Sequence, residues 1–274
     1  MTLPVSKIAL YLFLFTTVLN SFGQKLPNVQ ETGVRAPFNI RIDGKDLEWN
    51  NRFQAHNTNT DILYTICNDD ENLYLVAQIS NQAALTKIMA GGLTFIVQKS
   101  NKKTNKGGIS LTYPAFDKGV HLSFSLRSTD EFPPPPDMTA KIADSVMKMN
   151  NNKISAKAKF IRINGMKDID TLLSIFNQDG VRAAGYFDNK KVYICEISVS
   201  LKNLGLSIND SQKFLYHLLL NGGPNKYMGD LGNNTSGASL QDTLRDARRA
   251  ITERLYSVAY GTTDFWGEYT LVKK

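Results

Sequence analysis

Along most of this chain apolar and polar residues alternate with a period of two. That is the spacing of strands that turn one face to a core and the other away from it. Phe38 to Ile42 alternates in this way and ends in Asp43-Gly44, a turn signal. Ile62 to Cys67 and Leu73 to Ser80 read as the two arms of a hairpin, with Asn68-Asp69-Asp70-Glu71-Asn72 at its tip. In the second arm Leu73, Leu75, Ala77 and Ile79 share one face. Leu93 to Gln98 is a further strand, and Ile109, Leu111 and Tyr113 continue the pattern, as do Leu122, Phe124 and Leu126. Ala183 to Phe187 and Val192 to Ser200 form a second hairpin around Asp188-Asn189-Lys190. Phe214 to Asn221 is an apolar run of strand length, and Thr263 to Val272 closes the chain. Many short strands separated by turn residues predict a mainly β fold, an antiparallel β-sandwich of jelly-roll type.

Helical periodicity interrupts the strands twice. Pro133 to Pro136 is a rigid connector, and after it Ile142, Val146 and Met149 fall on one side of a helix over Met138 to Met149. Ala156, Ala158 and Phe160 then return to the strand period. We expect 131–152 to be an insertion between strands, with an interdomain linker as the alternative. Further on, Ser239 is a cap and Leu240, Leu244, Ala247, Ile251 and Leu255 form one apolar stripe, with Arg245, Arg248, Arg249 and Arg254 mostly off it. The expected organisation is a flexible leader over 24–37 and one domain over 38–274, with insertions near 131–152 and 224–258.

The N-terminus changes the picture more than the bulk composition does. Lys7 precedes a short apolar run, Ile8 to Leu19, and Ser21-Phe22-Gly23 places small residues around a cleavage point. This predicts a cleaved signal peptide over 1–23 and a secreted or periplasmic, cell-envelope protein, with an uncleaved anchor as the alternative. No later stretch has the length of a membrane helix. The chain carries 32 basic and 25 acidic side chains in 274 residues, and only Lys7 leaves with the signal. The positive charge is dispersed, with local clusters at Lys99/Lys102/Lys103/Lys106 and in the Arg-rich helix. Solvated faces explain it, and no nucleic-acid partner is expected. The two cysteines, Cys67 and Cys195, allow one disulfide in an oxidising compartment if their Cα atoms approach within ~7 Å. Two buried thiols are the alternative.

The segments Ile42-Asp43-Gly44-Lys45-Asp46-Leu47-Glu48-Trp49-Asn50, Asp69 to Tyr74, Val192 to Ile197 with Leu201, Leu215 to Gly222, and Phe265-Trp266-Gly267 together resemble the β-sandwich family of family 9 carbohydrate-binding modules. The resemblance covers about residues 38–274. It implies a secreted sandwich that binds sugar chains, a tryptophan clamp on the sugar, and calcium in support of the fold. The chain departs from the pattern in two places. Its only tryptophans, Trp49 and Trp266, lie in the opening turn and the closing strand, positions that read as structural. Ser200 also stands before Leu201 where the family has proline.

Sugar binding needs an aromatic face and polar groups for the hydroxyls. Tyr113, Phe116, Tyr186, Phe187, Tyr227 and Tyr260 are the aromatic candidates. The most site-like cluster is Tyr227 with Asn225, Lys226 and Asp230 in a Gly-rich loop, and Tyr186 is a further candidate. Asp69, Asp70 and Glu71 crowd three carboxylates at a hairpin tip, a candidate structural calcium site or a solvated turn. His56, His121 and His217 stand in no metal-binding motif, and no Gly-x-Ser-x-Gly elbow occurs. A carboxylate pair for glycoside hydrolysis is a matter of spatial distance. Glu196, opposite in face to Cys195, reads as a surface or cross-strand charge rather than one of its members. The expected role is non-catalytic binding of a glycan. Its rival is an envelope structural or protein-interaction module, with a polysaccharide hydrolase third.

Overall fold

The computed structural model describes residues 25–50, 52–116, 122, 124, 136–209, 213–223, 251 and 260–274. Its strands are β1 (Ala55–Asn57), β2 (Ile62–Asn68), β3 (Asn72–Ile79), β4 (Leu93–Gln98), β5 (Ile109–Ala115), β6 (Phe160–Asn164), β7 (Leu172–Ser174), β8 (Val181–Phe187), β9 (Tyr193–Ser200), β10 (Phe214–Leu220) and β11 (Thr263–Tyr269). The described helices are α1 (Gln82–Gly91), α2 (Pro136–Lys157) and the single turn α3 (Leu201–Leu204). All ladders are antiparallel. One sheet runs β1-β2-β3-β9-β8 and the other β11-β10-β4-β5-β6-β7. The fold is the expected mainly β sandwich with helical insertions. No described helix is long and apolar enough to cross a membrane.

The core follows the alternation. Leu73, Leu75, Ala77 and Ile79 of β3 meet Phe95 and Val97 of β4 and Tyr216 and Leu218 of β10 in one buried cluster. Each such aliphatic side chain stabilises the fold by about 1.5–3 kcal/mol through its removal from water. One polar pair spans this core. The Tyr64 and Tyr216 hydroxyls lie 2.8 Å apart, one from each sheet, and the Gln30 amide donates to Tyr64 Oη at 2.9 Å. Gly267 makes room for them, since a Cβ there would meet the Tyr216 ring at 2.1 Å.

The five-stranded sheet is covered on its outer face too, which explains why β2, β3 and β9 are buried on both sides. Trp49, Phe53, Cys67, Tyr74, Val76 and Ile194 form a second cluster there, with Ile40 and Ile42 packed on it. Phe38 to Ile42 is therefore a cover segment and not a strand. Asn39 takes a left-handed φ of 60°, which breaks the extended run. Residues 25–37 complete the open edge of β2 beyond the short β1. The Gln30 side chain bonds both Ile66 N–H and Ile66 C=O at 2.8 Å, in the manner of a neighbouring strand. Arg35 forms a parallel bridge to Asn68. The same segment meets the end of the chain: Tyr269 Oη donates to Val34 O at 3.0 Å, and Arg35 Nη1 bonds both Asp70 and Val272 O.

Helix α2 covers the edge of β8. Asn151 accepts from Phe187 N–H at 2.7 Å and donates to Phe187 O at 2.8 Å. The helix is longer than its periodicity suggested. It continues through Ala156, and the strand resumes only at Phe160. Its buried face is Met147, Asn150 and Ile154, while Met149 is exposed. Helix α1 begins at Asn81, whose side chain accepts from the Ala83 and Ala84 amides and so caps the first turn.

Candidate functional site

Strand β11 is an edge strand of the six-stranded sheet, paired only with β10. Its alternation sends Phe265, Gly267 and Tyr269 into the core and leaves Asp264, Trp266 and Glu268 on the outer face. Trp266 is the register partner of His217 on β10. The two rings stack with centroids 4.0 Å apart and planes 14° from parallel. Among the described residues no strand lies beyond β11, so the other face of the indole turns toward the open side of the sheet, and Trp266 is half-buried.

His217 is 5% exposed, and both of its ring nitrogens are engaged. Nε2 lies 2.6 Å from Asp264 Oδ2 and Nδ1 lies 2.8 Å from Asn105 Oδ1. Asn105 belongs to the basic turn after β4. Gln98 staples that turn down by donating to Thr104 O at 2.8 Å and Lys106 O at 3.1 Å. Lys213 donates to Glu268 at 2.7 Å. That bond, the Lys213 charge and the more distant Lys103 hold the Glu268 carboxyl below its ordinary value.

Beside β11 runs an open groove of about 620 Å³. One wall is Trp266, Glu268 and Thr270. The other is the leader, including Asn28, Gln30 and Glu31. Lys103 and Lys213 also line it. Donors and acceptors of both kinds therefore surround one aromatic ring.

The residues singled out from the sequence fall elsewhere. Asn225, Tyr227 and Asp230 lie outside the described residues, as do the signal segment and the Arg-rich helix apart from Ile251. Tyr186 stands on the outer face of the other sheet, at β8, with the Lys45 ammonium 5.6 Å from its ring centre. It does not join the groove. Tyr113 and Phe187 are core residues. Trp266, read as structural from its place in the closing strand, borders this groove.

The carboxylates at the hairpin tip do not fit calcium. Asp69 Oδ1 accepts from the Glu71 and Asn72 amides at 2.8 and 2.7 Å, and Asp69 Oδ2 accepts from Tyr74 Oη at 2.6 Å. Burial pushes the Asp69 carboxyl up, but these donors outweigh it and hold the group below its ordinary value. Asp70 pairs with Arg35. A cation there would have to displace bonds that the turn already uses, whereas calcium takes six to eight oxygens. Among the described residues no group of three or more His, Cys, Asp or Glu converges on a metal position.

The cysteines stand as the two buried thiols and not as a disulfide. Both cysteines are free and buried. Cys67 packs in the outer cluster and Cys195 between the sheets, so their side chains leave the same sheet in opposite directions. Burial raises both thiols well above their ordinary range.

Glu196 is likewise not a surface charge. It is fully buried on the outer side of β9. Its carboxylate accepts from Gly44 N–H at 2.7 Å, Asp43 N–H at 3.0 Å and Trp49 Nε1–H at 2.8 Å. Burial pushes its pKa up to about 7, against the pull of those three donors. Gly44 is required at this contact: its φ is +79°, and a Cβ would lie 2.7 Å from the Gly185 carbonyl carbon.

No protein-family model matches the chain, and no curated protein matches it. Among solved structures it is similar to a carbohydrate-binding module of family 9 from Caldicellulosiruptor kristjanssonii, determined in complex with glucose. The two are 10% identical, with 89% of this chain and 97% of that chain covered and a TM-score of 0.36.

Proposed function

We propose that this is an exported, non-catalytic binding protein that holds a glycan chain in the groove beside β11. The observation that carries the proposal is Trp266, an edge-strand indole backed on one face by His217 and bordering an open groove. A pyranose presents an apolar face to such a ring, and stacking of this kind adds about 0.5–1.5 kcal/mol beyond area burial. Asn28, Glu31, Lys103, Lys213 and Glu268 supply donors and acceptors for the hydroxyls around it. The open form of the groove suits a chain rather than an enclosed small molecule. Glu268, held ionised by Lys213, suits an acceptor and not a proton donor to a leaving group. The N-terminal signal pattern supports a secreted or periplasmic location.

The test is a glycan array followed by calorimetry on the hits. Trp266→Ala is expected to weaken binding at least tenfold, about 1.4 kcal/mol, with the unfolding midpoint within a few degrees of wild type. Hits that survive the substitution unchanged would move the site elsewhere. Release of reducing ends from a polysaccharide panel would favour a hydrolase instead. The rival reading, docking of an envelope protein, has its own observation: Phe38 and Leu47 in the opening segment are 91% and 66% exposed. Crosslinks from that segment in native envelopes, with no hits on the array, would favour it.

A further inference from the structure

Resting on the glycan reading of this groove, we propose that His217 is the positioning residue of the binding platform: it fixes the plane of Trp266 before any ligand arrives. A tryptophan on an edge strand has a neighbouring strand on one side only, and ordering a loose side chain on binding costs affinity. Here that freedom is removed in advance. The imidazole lies flat against the indole at 4.0 Å and 14°. The imidazole is itself immobile, because its two nitrogens are held by two different elements. Asp264, two residues before Trp266 on the same face of β11, holds Nε2. Asn105, from the turn after β4, holds Nδ1. The arrangement also ties the turn that carries Lys103 to the ring beneath the ligand, so that cation and platform are set by one side chain.

The proposal is tested on protein labelled with 5-fluorotryptophan, which places one fluorine at Trp49 and one at Trp266. The Trp266 resonance is identified by its loss in Trp266→Phe. In ligand-free His217→Ala the Trp266 signal is expected to move toward the position of a solvent-exposed label while the Trp49 signal stays. Affinity for an array hit is expected to fall roughly fivefold to tenfold, the size of a lost aromatic stack. His217→Phe keeps a flat ring but loses both anchoring bonds, so it should restore only part of the affinity and of the Trp266 signal position. Asn105→Ala frees one ring nitrogen and should give a smaller shift in the same direction. If His217→Ala proves too unstable to study, Asn105→Ala and His217→Phe alone decide. A Trp266 signal unmoved in Asn105→Ala and in every foldable His217 variant overturns the proposal. A signal that moves while no glycan binds the wild type supports the positioning role and defeats the glycan reading, so the two failures are distinguishable.

Discussion

Replacing Trp49 with phenylalanine keeps a ring in the outer cluster and removes one donor from Glu196. The bond lost is 2.8 Å long, buried, and made to a carboxylate. Hydrogen bonds to charged groups contribute about 1.5–3 kcal/mol, and the smaller ring forfeits some apolar contact besides, so the expected cost near pH 8 is about 2–4 kcal/mol. The cost should depend on pH. Burial holds the Glu196 pKa at about 7 in the folded protein, against an ordinary value of 4.5. Between those values the folded state binds the proton more tightly than the unfolded state, so this group makes stability fall as pH rises from about 4.5 to about 7 and level off above. At pH 5 the acceptor is neutral and the Trp49 bond falls to about 0.5–1.5 kcal/mol. Urea unfolding of wild type and Trp49→Phe at pH 5 and pH 8, followed by far-ultraviolet circular dichroism, measures both numbers. Glu196→Gln supplies the control. It puts an NH₂ group among N–H donors, so it should be destabilised at both pH values, and it should lack the wild-type slope across the window. An equal cost of Trp49→Phe at pH 5 and pH 8, or a slope retained in Glu196→Gln, would refute the reasoning.

Gly44→Ala should cost at least about 2 kcal/mol, because it combines a left-handed backbone with a collision against the backbone of β8; chemical unfolding checks it, and a loss under 0.5 kcal/mol would contradict the geometry. Thiol labelling under non-reducing conditions should count two free cysteines, both silent in the native state and both reactive in urea, given their burial and raised pKa values; a mass two daltons short, the mark of a Cys67–Cys195 bridge, would contradict the opposed faces.

The alternation along Leu73–Ile79, Leu93–Val97 and Tyr193–Val199 identified both the strands and the faces they bury, because period two maps directly onto a pleated sheet. The same signal misled at Phe38–Ile42, where alternating side chains pack a cover segment onto a sheet without pairing with it. Helix α1 was not expected, although Asn81, the capping residue, followed by Ala84, Leu85 and Ile88 on one side, could have signalled it. The groove was not legible, because its walls are about 230–240 residues apart in the chain and periodicity says nothing about which edge faces which segment. Glu196 looked exposed because a charge usually is. The donors that make its burial tolerable sit roughly 150 positions away, in the Asp43-Gly44 turn and on Trp49. Trp266 and His217 become neighbours only through the register of β10 against β11.

The junction of residues 33–36 with 269–272 carries a kinetic consequence. These contacts join positions separated by more than 230 residues, among the largest loop closures this polypeptide makes. A chain that emerges from the ribosome in order has its first wall of the groove early and its second wall last. Until Tyr269 and Val272 have been synthesised, the strip that finishes the β2 edge lacks its bonds to the end of the chain. Shortening the chain by its last six residues should therefore loosen its beginning, with protease cuts appearing first near Val34.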